Sequence, residues 1–377
     1  MRILGIETSC DETATAVVED GTKILSNVVA SSQELHQKTG GIIPEIAARE
    51  QIRCIIPVIE ETIKPFSHSA IDALAVTVGP GLIGSLLVGV ETAKTLSYVW
   101  HKPIIPVNHL VAHIYANWLE SKPEFPAIAL VVSGGHTDLV LMKNHPSKGR
   151  DKLRWLGGTR DDAAGECFDK CARVLGLGYP GGPAISAAAE KFPISNCKAT
   201  SSAYFQFPIK LPRPMIETED FDFSFSGLKT AVINEVKKLK DNQQFNNITI
   251  QQLSFEVQEA ITDVLVEKTI RAAEKFKVKS ILLAGGVAAN KRLKEKLSNH
   301  LIINCSFLSQ NFVPTTLLIL PAVPFSTSSQ SLGKKSLSIP GWESTKKLLI
   351  KFKNLSSYFF PRKTFHVLTV FLAQLSS

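Results

Sequence analysis

The sequence predicts an α/β protein whose architecture is started twice. Three observations carry this. Apolar, strand-like runs alternate with stretches of helical period along most of the chain. A strand running into a turn of small or polar residues opens at Ile3 and again at Ala127. Four such turns follow predicted strands, and three of them are glycine-rich. With 377 residues there is room for two domains of roughly 150 residues each and a sizeable core.

Arg2–Glu7 reads as an apolar strand with a polar end. Ala14–Glu19 and Lys23–Ser31 are β-rich, and Asp20-Gly21 between them is a hairpin signal. Pro44–Ile63 has helical period with proline allowed in the first turn. Asp72–Val78 reads as a buried strand, Leu82–Trp100 as the helix after Gly79-Pro80-Gly81, Ile104–Val107 as a short strand and His109–Leu119 as a helix. Ala127–Val132 and Thr137–Met142 are expected as strands around Ser133-Gly134-Gly135. Helices are expected over Ala163–Leu175, Pro183–Lys191, Ser226–Leu239 and Ile250–Phe276. Ser280–Ala284 is the last expected strand, and Ala288–Leu297 follows Gly285-Gly286 as a helix.

From Ser298 the pattern fails. Prolines interrupt each apolar run, and neither period persists. Residues 298–377 carry a charge of +7 and residues 1–297 only +1, so the net +8 describes a tail more than a folded basic face. The division expected is residues 1–110, residues 111–297, and a basic Ser/Pro-rich tail at 298–377, either frame-shifted or disordered. At 44% hydrophobic and 20% charged residues the chain is not a disordered protein, and no apolar run reaches the roughly 18 residues of a spanning helix. The start, MRILGIETSC, is expected to be a strand rather than a secretion or transit signal. Six cysteines without a CxxC pair predict reduced thiols in a cytoplasmic protein, with Cys167 and Cys171 as core neighbours.

The turns are where chemistry is expected. They are Glu7-Thr8-Ser9-Cys10-Asp11-Glu12, Gly79-Pro80-Gly81, Ser133-Gly134-Gly135-His136 and Gly285-Gly286-Val287-Ala288-Ala289-Asn290. Glycine lets backbone approach a phosphate, and a following helix start offers N–H donors, so four together predict a nucleotide cleft. His109 and His113 stand four apart, which on a helix puts two imidazoles on one face for one metal. The alternative is two unrelated histidines, one capping and one partly buried. Leu110, Val111 and Ala112 lie between them, so the glutamate of a zinc-protease HExxH is missing. Asp161 or Asp162 is expected to cap the helix that follows. Asp169 faces either a ligand ribose or Lys170 and Arg173. Ser226 is expected to cap its own helix.

Eight segments taken in order are more specific. GIETSCDETATAVV, GGIIPEIAAREQ, VTVGPGLIGSLLVG, NHLVAH, LVVSGGHTDLV, GGTRDDAAGECFDKCARVLGLGYPGGP, FSFSGLKTA and LLAGGVAAN closely resemble the threonylcarbamoyl-transferase family, bacterial TsaD type, collinearly from Met1 to about Leu297. The resemblance implies a duplicated actin-like/sugar-kinase-like ATPase fold with two lobes around a nucleotide cleft. It implies transfer of a threonylcarbamoyl group from its adenylate to N6 of adenosine 37 in tRNAs reading codons that begin with A, giving t6A. It implies one divalent metal ion, iron or zinc, held by His109 and His113. Val131, Val132, Ser133, Gly134 and Gly135 match the loop that meets the adenylate. Asp169 and Gly182 match positions beside its ribose and base, and Asn290 matches the asparagine of the second nucleotide turn. Ser9, Asp11, Glu12 and His136 fall near the transfer centre, and Glu12 or Asp11 is expected to take the acceptor amine's proton. The implied partners are tRNA, a smaller TsaB-type paralogue and an accessory ATPase, with no membrane.

Two departures from the family pattern stand out. Many relatives carry Asp where this chain has Ser186. The family's third metal ligand, an Asp, belongs in a stretch here spanning Ser306 to Ser329, which contains no Asp or Glu. The metal is therefore expected to bind weakly. The alternative functions are a degenerate, non-catalytic nucleotide-binding relative and, further off, a metalloprotease.

Overall fold

In a computed structural model, the structure describes residues 1–32, 34–36, 41–119, 123–144, 153–192, 209–299 and the backbone of 304–307. All of them belong to the first of the two units into which the chain divides, Met1–Pro324. The possible frame-shifted tail beyond residue 307 and the expected third-ligand position from residue 308 onward lie outside the described residues.

The first sheet is formed by β1 (Arg2–Glu7), β2 (Glu12–Glu19), β3 (Lys23–Ser31), β4 (Ala73–Gly79) and β5 (Ile104–Asn108), in the order β3-β2-β1-β4-β5. β1 runs antiparallel to β2 and parallel to β4, and β4 runs parallel to β5. Asp20 and Gly21 both take positive φ (51° and 76°), as a hairpin turn that follows the right-handed strand twist requires. Helices α1 (Pro44–Ile63) and α2 (Ile83–Trp100) pack on one face of this sheet over Leu4, Ile6, Val17, Leu74 and Val76, with Ile55, Ile59 and Ala93 facing them.

The second sheet repeats this plan. β6 (Ala127–Val132), β7 (Thr137–Met142), β8 (Leu153–Gly158), β9 (Ser280–Ala284) and β10 (Asn304–Phe307) lie in the order β10-β9-β6-β7-β8. β6 is antiparallel to β7 and parallel to β9, and β9 is parallel to β10. Strand for strand, β6 to β10 stand where β1 to β5 stand in the first sheet. One face is covered by α4 (Ala164–Leu175), α5 (Gly181–Glu190), α6 (Ser226–Asp241), α7 (Asn247–Lys275) and α8 (Lys291–Ser298).

The short helix α3 (His109–Tyr115) lies against both sheets. Ala112 packs with Ile3, Ala73 and Ala75 of the first sheet. Ile114 packs with Ala127, Ala129 and Leu282 of the second. A helix with small and apolar residues on both sides can be buried twice, and its two histidines are buried with it.

Two strands are absent from the sequence-based expectation. β8 is an edge strand whose Arg154 and Trp155 are exposed, so it lacks a buried alternation. β10 is four residues long and lies past the point where the pattern fails, so the sheet continues beyond residue 297. The expected helix at 288–297 is split into a 3-10 turn, Gly286–Ala289, and α8, because Asn290 caps α8 through its side chain. The helix expected through Leu119 becomes a 3-10 turn at Ala116.

Gly285 has φ +92°, and a Cβ there would sit 2.3 Å from the carbonyl oxygen of Val132. Gly285→Ala is therefore expected to destabilise the protein by about 2–4 kcal/mol, combining backbone strain with overpacking. Urea unfolding checks this; an unchanged midpoint would contradict the geometry.

Candidate active site

The C-terminal end of β1 holds Glu7 at 3% exposure, with Thr8 and Ser9 also buried. Glu7 accepts a hydrogen bond from the Ser9 backbone N–H at 2.6 Å and another from the hydroxyl of Thr77 on β4. Ser9 Oγ lies 2.9 Å from His109 Nδ1, and Glu7 Oε1 lies 3.8 Å from the same nitrogen. Burial works against the Glu7 charge, but the bonds from His109, Ser9 and Thr77 and the charge of His109 outweigh it, and its carboxyl is held below the usual range. That carboxylate favours the tautomer with the proton on Nδ1 of His109, leaving Nε2 with its lone pair.

His113 follows one helical turn later, its ring 4.6 Å from that of His109 and nearly perpendicular to it. Burial, then the neighbouring histidines, hold its basicity well below the ordinary value, so it is neutral near pH 7. Its Nδ1 is buried without a hydrogen-bond partner. His136 lies 5.5 Å from His109, and burial, reinforced by His109, lowers its pKa to about 4.

These observations test the fit of a divalent metal. Two buried imidazoles on one helix, one with an orphaned nitrogen, suit a metal's first two ligands. Among the described residues, no group of three or more His, Cys, Asp and Glu side chains is placed to hold an ion. The residues present therefore supply half a catalytic site.

The expected adenylate residues form a second, continuous group. Ser133 and His136 close the β6–β7 turn through a backbone bond of 2.8 Å. The turn rests on the start of α4, where a Cβ on Gly165 would meet the Ser133 oxygen at 2.6 Å. Gly134 and Gly135 are exposed, with open space where side chains would stand. Val131 and Val132 are wholly buried, backbone included, so neither presents a surface to a ligand in this structure. Asp169, one turn along α4 from Gly165, accepts from the Gly181 N–H at 2.6 Å, which fixes the start of α5 and places Gly182 beside open space. Asn290 Oδ1 caps α8 at Leu293 N, 2.9 Å away. Its Nδ2 donates to Ser186 Oγ and Gln258 Oε1, both at 3.0 Å, so this side chain already has partners at both ends.

Asp11 ends the loop from β1 to β2 and Glu12 is the first residue of β2, both half-buried. Burial, then the charges of Asp11 and Glu7, raise the Glu12 pKa to about 7. The Tyr179 phenol is pushed up to about 12 by burial, then by the negative charges of Asp169 and Asp11. Tyr179, Glu7 and Thr77 carry no sequence signal beyond membership of the quoted segments.

The acids around α4 act differently from the capping role expected of them. α4 has no side-chain cap; Thr137 Oγ1 accepts from Ala164 N instead. Asp162 pairs with Lys170 at 2.6 Å. Asp161 accepts from the N–H groups of Phe225 and Ser226 and from the hydroxyls of Ser224 and Ser226, so the carboxylate, not Ser226, caps α6.

The comparisons with known proteins agree with this geometry. The family model described as TsaD, tRNA N6-adenosine threonylcarbamoyltransferase, matches residues 23–313. The chain belongs to the TsaD family. It is 52% identical over 295 residues to the tRNA N6-adenosine threonylcarbamoyltransferase of Syntrophomonas wolfei, covering 78% of this chain and 81% of that one. It is 50% identical over 299 residues to the Bacillus subtilis protein of the same name, covering 79% and 81%. Among solved structures, full-length HypF in its phosphate- and nucleotide-bound form matches with a TM-score of 0.52 at 11% identity, over 88% of this chain and 56% of that one. That likeness concerns the fold, the duplicated actin-like architecture. The TsaD family match ends at residue 313, past β10 and past the end of the collinear motifs. No helix among the described residues is long and apolar enough to cross a membrane.

Proposed function

We propose that this chain is a tRNA N6-adenosine threonylcarbamoyltransferase of the cytoplasm, taking threonylcarbamoyl-adenylate as donor and N6 of adenosine 37 as acceptor to form t6A. The observation that carries this reading is the junction of two sites. The open glycine turn Ser133–His136, with Asp169 and Gly182, lies on the nucleotide side. The buried Glu7–Ser9–His109–His113 group lies on the other, and His136 belongs to both.

The donor is a mixed anhydride, already activated, so the protein's task is to place it against the amine. Turn N–H groups of Gly134 and Gly135 and the start of α4 suit the phosphate. Asp169 suits a ribose hydroxyl with the carboxylate oxygen not committed to Gly181. Glu12, with its raised pKa, suits late removal of the amine proton. His109 and His113 would hold a divalent ion, iron or zinc, which when bound polarises a carbonyl as a Lewis acid. With two imidazoles and no third side chain placed to complete an ion site among the described residues, we propose that this ion is held weakly. The same lack favours a second reading, a nucleotide-binding relative without turnover.

The smaller TsaB-type paralogue and an accessory ATPase are proposed partners, with tRNA as substrate. The paralogue reading is supported by apolar residues left exposed on α1 and α2: Ile52, Ile56, Ile83, Leu87, Tyr98 and Val99.

Titration with threonylcarbamoyl-adenylate or ATP tests the nucleotide side. Saturable heat is expected, with a thermal shift equivalent to about 2.7 kcal/mol at a ligand concentration 100 times Kd. Asp169→Ala is expected to weaken binding about tenfold or more. No heat and no thermal shift at millimolar ligand would overturn the reading.

A further inference from the structure

We propose that Gln51 is a positioning residue for the transfer reaction, a staple in α1 that fixes the loop carrying Ser9, Asp11 and Glu12. The proposal rests on the reading of Glu12 given above.

Gln51 is 1% exposed. The two hydrogens of its Nε2 are shared among three backbone carbonyl oxygens: Thr8 at 3.3 Å, Cys10 at 3.0 Å and Glu12 at 3.1 Å. The two carbonyls between them are held from other directions. Ser9 O accepts from Leu82 N at 2.7 Å, and Asp11 O accepts from Ser32 Oγ at 2.5 Å. Five successive carbonyls, residues 8 to 12, thus have donors, and one side chain supplies three of them. Alternate carbonyls converge on one amide, which bends the backbone from Thr8 up to the start of β2 at Glu12.

The surroundings make this staple matter. On the α2 side the loop is hemmed in, since a Cβ on Gly81 would lie 2.5 Å from Ser9 O. On the α1 and β3 side a cavity of about 230 Å³ opens, lined by Asp11, Thr13, Ser32, Glu50, Gln51 and Cys54 among others. Packing does not hold the loop on that side, and hydrogen bonds must. Gln51 Oε1 is buried without a partner, so the side chain accepts one unsatisfied atom in order to present its amide to the loop. A buried glutamine that served only to fill space would not be chosen at this cost, since methionine of similar size carries no orphaned atom.

The glycine turn Ser133–His136, with Asp169 and Gly182, belongs to the second sheet and its helices, and none of these residues is bonded to Gln51. Loss of the staple should therefore strike the chemical step and spare donor binding. Cys10 provides a direct report. Cys10 is an exposed residue whose thiol is nonetheless partly desolvated, and Gln51 holds its carbonyl. Desolvation and the Asp11 charge raise its pKa, so relaxation of the loop should make it more reactive.

The experiment compares wild type, Gln51→Met, Gln51→Glu and Glu12→Gln. The readouts are the single-turnover transfer rate to tRNA, the Kd for the adenylate, and the alkylation rate of Cys10 by N-ethylmaleimide followed by peptide mass. For both Gln51 variants we expect a transfer rate at least tenfold lower, a Kd within twofold of wild type, and Cys10 alkylation several-fold faster. The two differ in charge, and Gln51→Met leaves no orphaned polar atom, so the loss they share reports the missing donor. Wild-type alkylation rates in both would overturn the staple. Faster alkylation with an unchanged transfer rate would overturn its part in the reaction. Should Glu12→Gln keep the wild-type rate, the role of Glu12 fails, and Cys10 alkylation still decides whether Gln51 holds the loop.

Discussion

Glu12→Gln is expected to lower the transfer rate by about 10²- to 10⁴-fold, the usual range for removing a general base. Burial is the main cause of the raised Glu12 pKa of about 7, and the charges of Asp11 and Glu7 add to it. The sign follows from the role. A base must be ionised to accept a proton, so the wild-type rate should rise with pH through about 7, by about tenfold between pH 6 and pH 8. Glutamine has nearly the same shape and no titration, so the variant should lose this rise as well as the rate. Asp11→Asn removes one of the charges that oppose ionisation, and the midpoint should move to lower pH. Rates under single turnover across pH 5.5 to 9 check both statements. A Glu12→Gln enzyme with wild-type rate and an intact pH rise would remove Glu12 from the mechanism.

The second large effect concerns the tail. β10 stands in the second sheet where β5 stands in the first, and β5 runs directly into the helix with His109 and His113. The third ligand was expected in the stretch from Ser306 to Ser329, which contains no Asp or Glu. A second-shell loss alone typically costs about 10- to 100-fold in metal affinity, and a missing ligand should cost at least about that. An imidazole binds a metal in its neutral form, so an ion of charge +2 would gain no compensating charge from His109 and His113. Residues 298–377 replaced by the matching segment of the Bacillus subtilis relative should raise iron or zinc affinity by about 10- to 100-fold or more. Metal content after dialysis against graded chelator measures this. Equal retention by the natural chain and the chimera would contradict it.

Most of the framework was legible because the buried inner strands are largely apolar runs with glycine punctuation. Ala127–Val132, Thr137–Met142 and Ser280–Ala284 appear in the structure with the bounds read from the sequence. β8 was not legible, since Arg154 and Trp155 on an edge strand leave no alternating pattern. The His109–His113 pair was visible as a spacing, and His136 as the last residue of a glycine turn. What surrounds them was not. Glu7 meets Thr77 across 70 residues of sequence, and Gln51 reaches Thr8 across 43, contacts that only the pairing of β1 with β4 and the packing of α1 bring about. Asn290 shows the reverse. Its motif pointed to a ligand, while its side chain caps a helix and joins Ser186 and Gln258.

The central claim is that this chain carries a threonylcarbamoyl-transfer site limited by an incomplete metal centre. The most direct test is to incubate the natural chain and the tail chimera, each with added iron or zinc, with threonylcarbamoyl-adenylate and unmodified tRNA, and to quantify t6A after nuclease digestion. The account predicts that the chimera forms t6A and that the natural chain forms it at least about tenfold more slowly. A natural chain as fast as the chimera would contradict it.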